Sequence, residues 1–175
     1  MSGLEKTTHI CLIVLSVLSA AVLLERQFGK RAAPIDHRAN LVGKPLALNG
    51  AAWTGSPTNV VIAVRSTCKF CAASMPFFRR LAEVGRNGAP MSLIAVSSEP
   101  AETTRYFLGK GGVAASQVFQ RPLEPLGITA TPTVLVADAR GLVEKEYVGT
   151  LSPAQETELL AMVAGQRASP GPSRR

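Results

Sequence analysis

Cysteine and histidine are scarce in this chain: 175 residues hold three cysteines and two histidines, and no histidine follows His37. A zinc site needs three or four protein ligands. Beyond Cys68 and Cys71 the chain offers only His9, Cys11 and His37, all near its amino terminus, so no metal site is expected. Apolar residues make up 46% and charged residues 18%, which excludes a disordered or collagen-like chain. No internal repeat is visible, and the length suits one domain with appendages.

Acidic residues are also in short supply, 12 against 19 Lys and Arg, for a net charge of +7. A basic excess of this size raises nucleic acid as a partner, but its distribution argues otherwise. Residues 1–40 hold five basic and three acidic groups and residues 166–175 hold three basic groups, leaving 11 basic and 9 acidic groups in between. A nearly balanced domain between basic ends makes no footprint for phosphates, so no nucleic acid partner is expected.

The chain has one long uncharged apolar stretch, Ile10–Leu24, fifteen residues. As a helix it spans about 22 Å, short of the ~30 Å hydrocarbon thickness unless Thr7, Thr8 and His9 extend it. It shows no polar stripe, which counts against a buried core helix. A signal peptide, with Ser19 and Ala21 before a cut at Val22, and an uncleaved signal anchor over residues 7–24 both remain open. Either one carries the rest of the chain across a membrane. Glu25, Arg26, Lys30 and Arg31 follow the stretch, and by the positive-inside rule their excess of basic charge favours a cytoplasmic location. The redox chemistry below argues for a catalytic domain facing the periplasm from the bacterial inner membrane. Cys11, inside the apolar run, reads as a packed thiol.

Residues 1–24 are thus a signal anchor or signal peptide and residues 25–40 a juxtamembrane tether, with polar, irregular sequence running on to residue 44. Residues 41–165 form the domain, and residues 166–175 a disordered tail. Within the domain, Asn59–Arg65 (NVVIAVR) is a β-branched run suited to a strand covered on both faces. From Lys69 a helical period places Cys71, Met75, Phe78, Leu81 or Ala82, and Gly85 on one face. A second strand covers Met91–Val96, a helix starts near Ser98 and Pro100 and stops at Gly111-Gly112, and a short strand lies near Gln117–Phe119. Thr133–Ala137 and Leu142–Val148 read as an antiparallel hairpin. Ser152-Pro153-Ala154-Gln155 opens the last helix with a capping box. This order implies an α/β layered sheet with a right-handed parallel first crossover.

Cys68-Lys69-Phe70-Cys71 lies where the first strand hands over to the first long helix. A disulfide between residues three apart closes too small a loop to stabilise the fold much, which leaves redox chemistry as the economical account. At a helix amino terminus, free N–H groups, the dipole and the Lys69 cation all favour a thiolate on Cys68. Cys68 is the expected nucleophile. Cys71, one turn on and facing inward, is the expected resolving thiol. Thr131-Pro132 precedes the TVLVA strand; a cis bond facing the cysteines and an ordinary trans proline are both open on the residues alone.

Strand-CKFC-helix, Pro76 five residues after the second cysteine, and GITATPTVLVADARGLV over residues 127–143 together resemble the thioredoxin-fold redoxins, and within them the membrane-anchored TlpA-like and ResA-like thiol-disulfide oxidoreductases. The resemblance covers about residues 41–165. It implies a thioredoxin-like fold, with residues 98–127 filling the insertion that lengthens the path from Cys68 to Pro132. It further implies that Pro132 is cis, that Thr131 helps hold a partner's peptide as an added strand, and that Pro76 bends the active-site helix. The implied activity is thiol-disulfide exchange with protein substrates, as a reductant, with no cofactor beyond an electron-donating or electron-accepting partner. Cytochrome c maturation is one possible target.

Three positions depart from that pattern. Thr67 stands where many members have Trp, Ile62 where thioredoxin has a buried Asp, and Ser74 where some members of the group have Glu. No side chain remains in the obvious place to take the proton from Cys71. Two other functions compete on the same residues. A peroxiredoxin-like peroxidase needs Thr and Pro ahead of its reactive cysteine, whereas here only Thr67 is near and Pro57 is distant. A thioredoxin-fold metallochaperone or assembly factor needs a downstream His, which is absent.

Overall fold

The computed structural model describes residues 40–165. The expected anchor, nearly all of the tether and the tail lie outside the described residues. Among the described residues no helix is long and apolar enough to cross a membrane.

Five strands form one sheet: β1 (Thr58–Ala63), β2 (Met91–Ser97), β3 (Gln117–Gln120), β4 (Thr133–Asp138) and β5 (Val143–Val148). Their order is β3-β2-β1-β4-β5. β2 runs parallel to β1 and β3, β4 is antiparallel to β1, and the β4–β5 hairpin closes the sheet. Four helices complete the fold: α1 (Lys69–Ala73), α2 (Met75–Arg86), α3 (Ala101–Lys110) and α4 (Pro153–Val163).

Both faces of the sheet are buried, which is why β1 reads as an unbroken apolar run. Val60, Ile62 and Val64 point into a core with Phe77, Phe78 and Leu81 of α2, Leu108 of α3 and Leu159 of α4. Their neighbours Val61 and Ala63 point the other way, against Leu41, Leu46, Leu48, Leu123, Leu126 and Ile128. This second layer is built from irregular segments and a 3-10 turn, Glu124–Leu126, instead of α-helices. It corrects the reading of residues 41–44 as polar and irregular chain. Leu41 is buried and its N–H donates to Glu146 Oε2 at 3.0 Å, while Gly43 and Lys44 exchange backbone bonds with Val143.

The single helix expected from Lys69 is two. Pro76 lacks an N–H, and its ring would crowd the carbonyl of Ala72 in a continuous helix. The chain therefore breaks at Ser74, whose hydroxyl caps back onto the Phe70 carbonyl at 2.9 Å. The restart also buries Phe77 beside Phe78, their ring centroids 5.8 Å apart. The α4 capping box forms as expected, with Ser152 and Gln155 bonded reciprocally.

Candidate active site

Cys68 is the residue before α1, and Cys71 is one turn inside it. The five-residue helix contributes its first N–H groups more than any long-range dipole. The Cys71 amide donates to Cys68 Sγ at 3.2 Å, and the Cys68 thiol donates to the Thr131 carbonyl at 3.3 Å. Both cysteines are free thiols; Cys68 is partly exposed and Cys71 buried. The Thr131–Pro132 peptide bond is cis. Pro132 itself is buried, and its carbonyl accepts from Gly149 N at 2.7 Å.

The two thiols ionise differently. Burial works against a charge on Cys68, but hydrogen bonds from the Cys71 and Thr131 side chains and from the Cys71 and Phe70 backbone outweigh it, so this thiol lies below its ordinary 9.0. Cys71 is pushed up to about 12, first by burial and then by its bond to Cys68. The surface thiol is the one that ionises more readily, and the interior thiol is held protonated.

The remaining residues read from the sequence frame this pair unequally. Thr67 and Lys69 are exposed, and Lys69 Nζ lies 5.0 Å from the Phe70 ring centroid. Phe70 is 54% exposed directly between the cysteines, an apolar surface beside the reactive sulfur. Pro76 shapes the helix break and lies on the surface. Ile62 is fully buried in the helical-side core. A small cavity of about 100 Å³ adjoins Thr131, with Arg65 and Glu124 among its lining residues. A larger one, of about 230 Å³, lies between α3 and β3 and is not lined by either thiol. Among the described residues no group of three or more His, Cys, Asp or Glu is placed to hold a metal ion.

One member of the neighbourhood was not read from the sequence. Glu99, two residues past the end of β2, accepts from Ser66 N at 2.7 Å and from Ser66 Oγ at 2.9 Å, two residues ahead of the nucleophile. In the sequence it looked like part of a helix start. Its position at the carboxyl end of a strand parallel to β1 is the signal that points to a site in such sheets.

No family model and no curated protein matches the chain. Solved structures do. The thioredoxin domain of a thiol-disulfide oxidoreductase from Bacteroides vulgatus matches with a TM-score of 0.55 at 14% identity, over 70% of this chain and 97% of that one. The fold is thioredoxin-like. A thiol-disulfide isomerase from Corynebacterium glutamicum shares the thioredoxin-like arrangement with a TM-score of 0.53 at 14% identity, over 72% and 94% of the two chains. A thioredoxin-family thiol:disulfide interchange protein from Chlorobium tepidum matches with a TM-score of 0.50 at 21% identity, over 65% and 83%. In this thioredoxin-like frame the two thiols lie where the first strand meets the first helix, with the Thr131 carbonyl facing Cys68.

Proposed function

We propose that the protein is a thiol-disulfide oxidoreductase acting on protein substrates. The observation that carries this reading is a partly exposed Cys68, its thiol held below the ordinary value, bonded both to the Cys71 amide and to the Thr131 carbonyl. Cys68 thiolate attacks one sulfur of a substrate disulfide, the S–S bond breaks, and the second substrate sulfur leaves as a thiolate that takes a proton from solvent. Cys71 then loses its proton and attacks Cys68 Sγ. This closes the 68–71 disulfide and releases the first substrate sulfur, so two electrons pass to the substrate. A dithiol partner must return them for another turnover. Thr131, two residues ahead of β4, offers backbone to an incoming extended peptide, and exposed Phe70 offers it an apolar contact.

The finer reading is a membrane-tethered reductant facing the periplasm. It is supported by the uncharged stretch within residues 7–24 and by thiol chemistry that suits an oxidising compartment. Residues 25–40 would join the domain to its anchor. In this reading residues 41–165 act as one unit and residues 166–175 take no part.

The full-length protein tests the proposal by insulin disulfide reduction. Cys68→Ser abolishes the activity, and Cys71→Ser accumulates a mixed disulfide with the substrate. Unchanged reduction by Cys68→Ser, or no trapped species with Cys71→Ser, refutes the assignment. A 68/71 reduction potential near about −270 mV marks a reductant and one near about −120 mV an oxidant.

A further inference from the structure

We infer that Glu99 is a positioning residue for the Cys68 nucleophile, acting through the single peptide unit that joins Arg65 to Ser66. The inference rests on the thiol-disulfide reading above. That peptide unit is held from both sides. Its N–H, on Ser66, donates to Glu99 Oε2 at 2.7 Å, and its carbonyl, on Arg65, accepts from the Cys68 amide at 3.2 Å. The path from the carboxylate to the nucleophile's own backbone is therefore two hydrogen bonds and one peptide group. A carboxylate accepting a peptide N–H polarises the group and strengthens the acceptor at its other end, because hydrogen bonds in series reinforce each other.

The carboxylate is itself fixed at both ends. Its second oxygen accepts from Ser66 Oγ at 2.9 Å, making the attachment to Ser66 two-pronged. The Glu99 amide donates to Ser97 Oγ at 3.1 Å, and Ser97 is fully buried. The following Pro100 further restricts the Glu99 backbone. Glu99 thus ties the loop after β1 to the end of β2 at the one place where Cys68 must be aimed. With the loop held, Cys68 Sγ keeps its contacts to the Cys71 amide and the Thr131 carbonyl. Without it, the Ser66 amide and hydroxyl lose their tie to the chain after β2, and the sulfur loses alignment with the donor that favours its thiolate.

The direct charge effect has the opposite sign. A carboxylate near a thiolate disfavours the thiolate, so removing the charge alone would make Cys68 ionise more readily. The two roles are thereby separable by experiment. Iodoacetamide alkylation of Cys68 is followed against pH in the full-length protein carrying Cys11→Ser, alone and combined with Glu99→Ala, Glu99→Gln or Ser66→Ala, with thermal melting recorded for each. Positioning predicts that Glu99→Ala moves the alkylation midpoint up by about one pH unit, about tenfold less thiolate at a given pH below the midpoint. Glu99→Gln, which keeps an acceptor oxygen for the Ser66 amide, stays within about threefold of the parent. Ser66→Ala, which retains that amide, also shifts less than Glu99→Ala.

A midpoint that falls, or that moves equally in the Ala and Gln variants, overturns the inference in favour of charge. A lowered melting temperature with an unmoved midpoint overturns it in favour of a structural role. Failure of the underlying reading looks different: the Cys11→Ser parent itself would show no depressed alkylation midpoint and form no 68–71 disulfide.

Discussion

Cys71 must lose a proton to resolve the mixed disulfide, and the structure makes that loss difficult. At pH 7 a thiol at its ordinary 9.0 is about 1% thiolate, whereas one at about 12 is about one part in 10⁵. Resolution at neutral pH is therefore slower than an ordinary thiol in the same position would allow, by up to about a thousandfold. Part of the rise comes from Cys68 and vanishes once Cys68 is in a mixed disulfide; burial, the larger cause, persists. The perturbation is pH, and the assay is reaction of the reduced Cys11→Ser protein with an aromatic disulfide that releases a coloured thiolate. The first equivalent is released by Cys68 and the second when Cys71 closes the 68–71 bond. The first rate levels off below pH 9, and the second keeps climbing about tenfold per pH unit to beyond pH 9. A second phase that levels off below pH 9 refutes the reasoning, because a group within the protein would then be taking the Cys71 proton.

The same pair of thiols sets a pH dependence of stability. Cys68, depressed in the fold, contributes stability that is present above its unfolded value and lost as pH falls through the folded one; Cys71, raised, contributes stability that is present below 9.0 and lost as pH rises toward about 12. The melting temperature of the reduced protein, measured relative to the oxidised one, is accordingly expected to rise up to about pH 9 and fall beyond it, and a monotonic difference across that window contradicts the assignment. In the β4–β5 turn, Gly141 has φ +79° and an added Cβ would lie 2.9 Å from Trp53 Cε2. Left-handed backbone for alanine costs about 1–2 kcal/mol and overpacking against a rigid ring about 1–3 kcal/mol. Gly141→Ala should therefore destabilise by about 2–5 kcal/mol in denaturant titration, and a loss under about 0.5 kcal/mol counts against that packing.

The order of elements was legible because each carried a strong local signal: two-sided apolar runs for β1 and β2, a glycine stop after α3, a capping box at α4. Boundaries were less so. β1 ends at Ala63, paired with Thr133, instead of at Arg65. The residue before Thr133 is Pro132, which has no N–H with which to extend the ladder, and that limit belongs to the partner strand. The break at Ser74 follows from Pro76, but the sequence period alone suggested one continuous helix and so missed Phe77, and only the resemblance implied a bend at Pro76. Leu41 looked like polar chain because its apolar partners, among them Leu126 and Ile128, are distant in sequence. The thiol pair was readable from its motif, whereas the residues alone left Thr131-Pro132 open between cis and trans and only the resemblance pointed to cis. Glu99 was not readable, since its partner Ser66 is 33 positions away and only the parallel pairing of β1 with β2 brings them together.

The irregular layer beneath the sheet has a mechanical consequence. Leu41, Gly43 and Lys44 are bonded to Glu146 and Val143 of β5, so tension on the chain at residue 40 reaches the outer edge of the sheet before any helix. Pulling from that end would peel away the leucines that seal Val61, Ile94 and Leu135 from water. For the same reason, a shortened protein that begins after Leu48 would strip Leu41, Leu46 and Leu48 from one side of the sheet, and the smallest self-sufficient domain must start ahead of Leu41.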